Sequence, residues 1–192
     1  MGKPMERINS LSRRIIFFLV LFAVIGQAKV SSVAEKYPNY AKRIREVKLR
    51  QIEVIDGDTF KVGRLSIRIL GIDTPELKYP RYGIFYDQPY GRKAKLEAER
   101  ILYSARIVEY LPYRNDSYQR LLAHIFVDGK LFAVKMIEKS LAYETVTRYG
   151  DNGFPDLARE IKRAAKRAGK PPFMDPARWR RIQRSKKQSI LR

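Results

Sequence analysis

From Val47 onward the hydrophobic positions come in short bursts. Val47, Leu49, Ile52 and Val54, then Phe60, Val62, Leu65, Ile67 and Ile69, read as short strands with turn signals between them. Gly63 fits a tight hairpin turn. The apolar run from Ile67 to Ile72 predicts one buried strand. It ends at Asp73-Thr74-Pro75-Glu76, because Pro75 has no N–H to pair. A loop rich in Tyr, Gly and Pro follows over 77–93. The spacing of Ala94, Ala98, Ile101 and Leu102 predicts a helix over 93–105. Strands are expected near 106–112 and 121–127, with Asp128-Gly129 as the next turn. Helices are expected over 132–140 and 156–168, the second stopped by Gly169 and Pro171. Strands first, with helices between and after, point to an α+β fold and not to an alternating α/β sheet.

The flanks read differently. Residues 29–46 are polar and mixed, a linker with a short helix at most. Upstream, Lys3, Arg7, Arg13 and Arg14 precede an apolar run from Ile15 to Ile25, and Gly26-Gln27-Ala28 follows. That is the layout of a secretory signal peptide over 1–28, with an uncleaved membrane anchor as the alternative. The expected address is therefore secreted, periplasmic or cell-surface. Residues 159–192 hold thirteen Lys or Arg against two acidic residues, and their end has few apolar positions. The segment 171–192 reads as a basic tail, disordered beyond about residue 180.

Composition changes the picture by its imbalance. Forty Lys and Arg face twenty Asp and Glu, a formal charge of +20. Such an excess implies a polyanionic partner, either nucleic acid or an acidic membrane or wall polymer. There is no Cys, and His124 is the one His. Thiol nucleophiles, disulfides and Cys-ligated zinc are excluded. Acid–base or metal chemistry must come mainly from carboxylates. His124 alternates with apolar neighbours and reads as structural.

Asp58 ends the string Val-Ile-Asp-Gly-Asp, and Asp73 follows the next buried strand. If those strands are neighbours, the two carboxylates converge as hard ligands for calcium, magnesium or manganese. Glu76 lies three residues further on, with reach to a metal-bound water. Taken singly, an Asp-Gly pair is a turn and Asp-Thr-Pro-Glu a cap. Arg68 stands between Ile67 and Ile69, where a buried guanidinium needs a phosphate or carboxylate partner. Arg120 begins a later apolar strand. In the loop, Tyr79, Tyr82, Phe85, Tyr86 and Tyr90 interleave with Lys78, Arg81 and Arg92, a pattern that suits single strands of nucleic acid or packing on the loop's own barrel.

The combination is more specific than its parts. Ile-Asp-Gly-Asp-Thr at 55–59, Arg-Ile-Leu-Gly-Ile-Asp-Thr-Pro-Glu at 68–76, Tyr-Gly-Arg-Lys-Ala at 90–94 and Asp-Ser-Tyr-Gln-Arg-Leu-Leu-Ala at 116–123 resemble the staphylococcal nuclease (thermonuclease) family over residues 47–170. The resemblance implies an OB-type five-stranded barrel with three helices. It implies a calcium-dependent endonuclease that cuts DNA and RNA to 3′-phosphate products. Asp58 and Asp73 would ligate calcium (with magnesium or manganese as alternatives), helped by the carbonyl of Thr74. Glu76 would be the general base, and Arg68 and Arg120 the phosphate clamps. Tyr118 matches a tyrosine near the nucleotide, and Lys78 and Tyr82 are further candidates for substrate contact. A monomer without obligate protein partners is expected. The chain departs from the family at Gln119, where Gly is common, at Ser117, where a basic residue often sits, and in a shorter hairpin and a longer loop. The alternative class is an OB-type module that grips nucleic acid without cutting it.

Overall fold

The computed structural model describes residues 31–190. The chain opens with α1 (Ser32–Lys36), whose first turn is capped by Ser31 Oγ accepting from the N–H groups of Val33 and Ala34, both at 3.2 Å. A 3₁₀ turn over Pro38–Arg43 leads to β1 (Arg45–Glu46). Then come β2 (Ile52–Val54), β3 (Thr59–Val62), β4 (Leu65–Ile69) and β5 (Ile72–Asp73). Helix α2 (Gly91–Tyr103) precedes β6 (Val108–Asn115), β7 (Leu121–Val127) and β8 (Lys130–Leu131). The remainder is α3 (Phe132–Glu138), β9 (Tyr143–Glu144), α4 (Val146–Tyr149), α5 (Pro155–Ala168) and α6 (Pro176–Ile190).

The main sheet runs β1-β6-β7-β4-β3-β2, with β8 added to β7. All its pairs are antiparallel except β4 with β7, where Arg68 faces Leu122. Strand β6 slips register between Pro112 and Arg114, as a residue without an N–H demands. The inward faces of β3, β4, β6 and β7 supply Phe60, Ile67, Leu111 and Ile125, and helices α3 and α5 close over them with Phe132 and Ile161. Strands β2, β3, β4, β6 and β7 and helices α2, α3 and α5 fall where the hydrophobic pattern expects them, except that Leu49–Gln51 forms a 3₁₀ turn and the first of these strands begins only at Ile52.

Three expectations are corrected. The apolar run Ile67–Ile72 is not one strand. Chain direction breaks at Gly71, which has φ +86°, and a Cβ there would lie 2.5 Å from Ile161 Cδ1. Only Gly satisfies both conditions. Beyond the break, β5 leaves the main sheet and pairs with β9, Asp73 opposite Tyr143. Residues 31–46 are not a linker. Val33, Tyr37 and Tyr40 are buried in the core, and the Tyr37 hydroxyl donates to Glu160 Oε2 at 2.6 Å. Lastly, the chain is helical through Pro176–Ile190 where disorder was expected beyond 180. The signal-like segment 1–28 lies outside the described residues. Among the described residues no helix is long and apolar enough to cross a membrane.

His124 lies buried on β7, edge-on to Phe154 with centroids 5.0 Å apart, and its Nδ1 has no hydrogen-bond partner. Burial pushes its pKa down from 6.5 to about 3. The folded chain therefore keeps the imidazole neutral while the unfolded chain protonates it. Stability is unaffected above about pH 6.5 and falls as pH drops toward the folded-state value, by about 1.4 kcal/mol per pH unit. His124 is the chain's one histidine, so no other side chain of its type blurs the window. The raised carboxyls of Asp58 and Glu76 contribute a slope of opposite sign to both proteins, so urea unfolding between pH 7 and 4.5 should show the wild type losing stability relative to His124→Leu by this amount as pH falls. An equal slope in both would contradict the assignment.

Candidate active site

The loop Asp56-Gly57-Asp58 turns tightly into β3. A Cβ on Gly57 would stand 2.7 Å from Thr74 Oγ1, so the backbone approaches Thr74 as only Gly allows. That approach buries Asp58 to 1% exposure. Its Oδ2 accepts from the Thr74 N–H at 2.7 Å and the Thr74 hydroxyl at 2.9 Å. Arg68, facing Thr59 across β3 and β4, donates from Nη1 to Asp58 Oδ1 and from Nη2 to Asp73 Oδ1, the latter at 2.6 Å. A guanidinium in an apolar strand thus has two carboxylate partners. The break at Gly71 is what lets Asp73 turn back toward Arg68.

Glu76 is held by its backbone. Its N–H donates to Gln88 Oε1 at 3.2 Å, and the Gln88 N–H donates to the Glu76 carbonyl at 2.8 Å. Its carboxylate meets Arg180 of α6, which donates from Nη1 to Glu76 Oε1. The same guanidinium grips Asp73, Nη1 to Oδ1 at 3.0 Å and Nη2 to Oδ2 at 2.7 Å. Three carboxylates therefore share two guanidinia. Burial pushes the carboxyls of Asp58 and Glu76 above their ordinary values. At Asp73 burial also pushes upward, but Arg68 and Arg180 outweigh it and hold the carboxyl below the usual range.

Arg120 sits at the hairpin between β6 and β7, two residues before Leu122, the parallel partner of Arg68. Asp116 fixes it. Asp116 Oδ1 accepts from the N–H groups of Tyr118 and Arg120, both at 2.9 Å, and Oδ2 accepts from Arg120 Nε at 2.8 Å. Gln119 takes φ +62°, the left-handed region that favours Gly. A non-Gly residue there is strained. Gln119→Gly should raise stability by about 0.5–1 kcal/mol without disturbing the Asp116–Arg120 grip. Equilibrium unfolding measures it, and a loss of stability would contradict the reading.

Tyr82 stacks on Tyr79 with centroids 4.7 Å apart and meets Tyr118 edge-on at 5.3 Å. Arg120 Cζ lies 5.4 Å from the Tyr118 ring centroid. All three rings are about half exposed, so they form an aromatic shelf open to solvent beside Arg120. Lys78 is exposed on the same loop. Tyr90, by contrast, packs on Phe173 at 5.6 Å and belongs to the scaffold.

Asp58 and Asp73 converge on one cation, Arg68, so the pair fits a hard divalent ion by charge and donor type. No cluster of three or more His, Cys, Asp or Glu side chains poised for a metal occurs among the described residues. The remaining oxygens would have to come from backbone, water and substrate phosphate. Sequence reasoning missed Asp116, Gln88 and Arg180. Asp116 carried a signal, lying four residues before Arg120. Gln88 and Arg180 carried none, because their roles arise from contacts 12 and 104 residues away in sequence.

The family model for "Staphylococcal nuclease homologue" matches residues 66–171, more than half of the chain. The chain belongs to this family. The match covers Arg68, Asp73, Thr74, Glu76, Asp116 and Arg120, and Asp58 lies just before it. The curled mixed sheet with its packed helices is accordingly an OB-type α+β fold. Among curated proteins, the chain is 37% identical over 108 residues to "Endonuclease YncB" of Bacillus subtilis (strain 168), covering 50% of each. It is 34% identical over 96 residues to a "Thermonuclease" of Staphylococcus hyicus, covering 47% of this chain and 55% of that one. It is 27% identical over 165 residues to "Probable staphylococcal-like nuclease CAN1" of Oryza sativa subsp. japonica, covering 83% of this chain and 45% of that one. The matched region spans about half the length of these relatives.

Proposed function

We propose that this chain is a secreted, calcium-dependent endonuclease that hydrolyses phosphodiester bonds of DNA and RNA and leaves 3′-phosphate ends. The observation that carries the reading is the convergence of Asp58, Asp73 and Glu76 on shared guanidinia, with Arg120 preset at the hairpin that leads into the neighbouring strand β7. Calcium held by Asp58, Asp73 and the Thr74 carbonyl would neutralise phosphate charge and orient water. Glu76 accepts the water proton as the water oxygen bonds to phosphorus. The bond from phosphorus to O5′ breaks, its electron pair stays on the 5′ oxygen, and that oxygen takes a proton from solvent water to leave as a hydroxyl. Arg68 faces the non-bridging oxygens and Arg120 the departing one, where charge grows in the transition state. Tyr79, Tyr82 and Tyr118 offer stacking surface for bases, with Lys78 for phosphate. The excess of cationic side chains makes binding steeply salt-dependent. Secretion rests on the signal-like segment at 1–28.

The test is incubation with plasmid DNA and with RNA under calcium, magnesium, manganese or chelator. End-group analysis should find 3′ ends that a polymerase extends only after phosphatase treatment. Tight binding without cutting under every metal would make the chain a binding module instead.

A further inference from the structure

We infer that Arg180, from the C-terminal helix α6, is a positioning residue of the active site, and that residues 172–185 are a built part of that site and not a tail. The inference rests on the nuclease reading and extends it to a residue outside the family-matched region, which ends at 171.

The charge count calls for it. Buried Asp58 and Asp73 and the partly buried Glu76 form one anionic group, and within the barrel Arg68 contacts only the first two. Glu76 would then be a shielded anion next to Asp73, repelled by it and free to swing. Arg180 fills that gap with one planar fork, both nitrogens on Asp73 and one also on Glu76. A rigid fork holding two carboxylates fixes their separation as a flexible ammonium does not. With Asp73 committed to a divalent ion, the contact to Glu76 continues to aim the base.

The helix is anchored as a structural element. Asp175 Oδ1 accepts from the Arg178 N–H at 2.9 Å, capping the first turn, and its Oδ2 pairs with Arg148 at 3.0 Å. Before the helix, the Tyr143 hydroxyl donates to the Phe173 carbonyl at 2.8 Å. Gln88, which pins the Glu76 backbone, donates its Nε2 to the Met174 carbonyl. The same glutamine therefore ties the base and the segment bearing Arg180 into one unit. The indole N–H of Trp179, the residue before Arg180, is buried, and so is Gln183.

The experiment uses the full chain with calcium and DNA, comparing wild type, Arg180→Ala and Arg180→Lys in single-turnover and steady-state cleavage. Trp179 is the only tryptophan, so its emission reports whether α6 stays docked. Arg180→Ala should lower kcat by about 10- to 100-fold with KM nearly unchanged, the size typical of residues that orient a ligand or base. Arg180→Lys should recover part of the loss. Guanidinium ion at millimolar concentration should rescue Arg180→Ala, and isosteric, neutral urea should not. Wild-type or higher turnover in Arg180→Ala would overturn the inference and make the arginine a bystander or a plug. A loss with shifted Trp179 emission and no guanidinium rescue would also overturn it, leaving only a docking role. Both outcomes leave the nuclease reading intact. A wild type that cuts nothing defeats that reading and this inference together.

Discussion

Arg68→Lys and Arg120→Lys should each lower single-turnover cleavage by about 100- to 1,000-fold, while calcium-dependent DNA binding falls far less. The expectation follows from where charge grows. A preorganised donor aimed at the transition state contributes about 2.7–4 kcal/mol, and its loss appears in turnover before affinity. Both arginines are preorganised, by different means. Arg68 is braced by Asp58 and Asp73, the second contact at 2.6 Å. Arg120 is braced by Asp116, with Nε to Oδ2 at 2.8 Å. A lysine keeps the charge at each place and loses the fork that lets one group meet a carboxylate and a phosphate together. Asp116→Ala should accordingly reproduce part of the Arg120 defect without touching the substrate. Cleavage rates beside a binding titration, with circular dichroism as a folding control, decide the matter. Intact cutting in both lysine variants would defeat the site assignment.

The candidate site was legible because its polar residues sit at the ends of short apolar strands. Arg68 drew notice as a cation between two isoleucines, and Asp73 and Glu76 because Pro75 had to stop a strand there. The resemblance to known motifs then supplied roles that spacing alone left open. The strand break at Gly71 was not legible, since Ile-Leu-Gly-Ile reads as one apolar run. What marks it is the positive φ of Gly71 together with the close approach of Ile161, some ninety residues later, which leaves no room for a Cβ. The docking of residues 31–46 was hidden for a related reason. Val33, Tyr37 and Tyr40 stand at i, i+4 and i+7, a helical spacing. Three apolar positions interrupted by Pro38 among polar neighbours suggest a short helix at most, yet each is buried. Helix α6 was obscured by its charge. Arg178, Arg180, Arg181 and Arg184 suggest a solvated tail, but Arg180 has its counter-charges on Asp73 and Glu76. Composition counts charges and cannot say which ones are paired across the fold.

Asp58→Asn and Asp73→Asn should lose most cleavage at low calcium, and the two should differ in how far excess calcium restores it. Removing one carboxylate from a hard-cation site weakens the ion's hold and the orientation of its water together. Asp73 also carries the contacts of both Arg68 and Arg180, so its amide releases the brace on two arginines. Under the proposed mechanism saturating calcium would refill the site without restoring those ion pairs, so the maximal rate of Asp73→Asn should stay well below wild type. Asp58 is held instead by the Thr74 N–H at 2.7 Å and hydroxyl at 2.9 Å, with Arg68 its one direct guanidinium contact among the described residues. An amide oxygen can keep accepting from Thr74, so Asp58→Asn should regain more of its rate as calcium rises. Cleavage measured across a calcium series, with calorimetric binding of calcium alone to the same proteins, separates lost affinity from lost alignment. Equal recovery in both variants would mean that Asp73 does no more than bind the ion. Cutting by the wild type in excess chelator would remove the metal from the mechanism altogether.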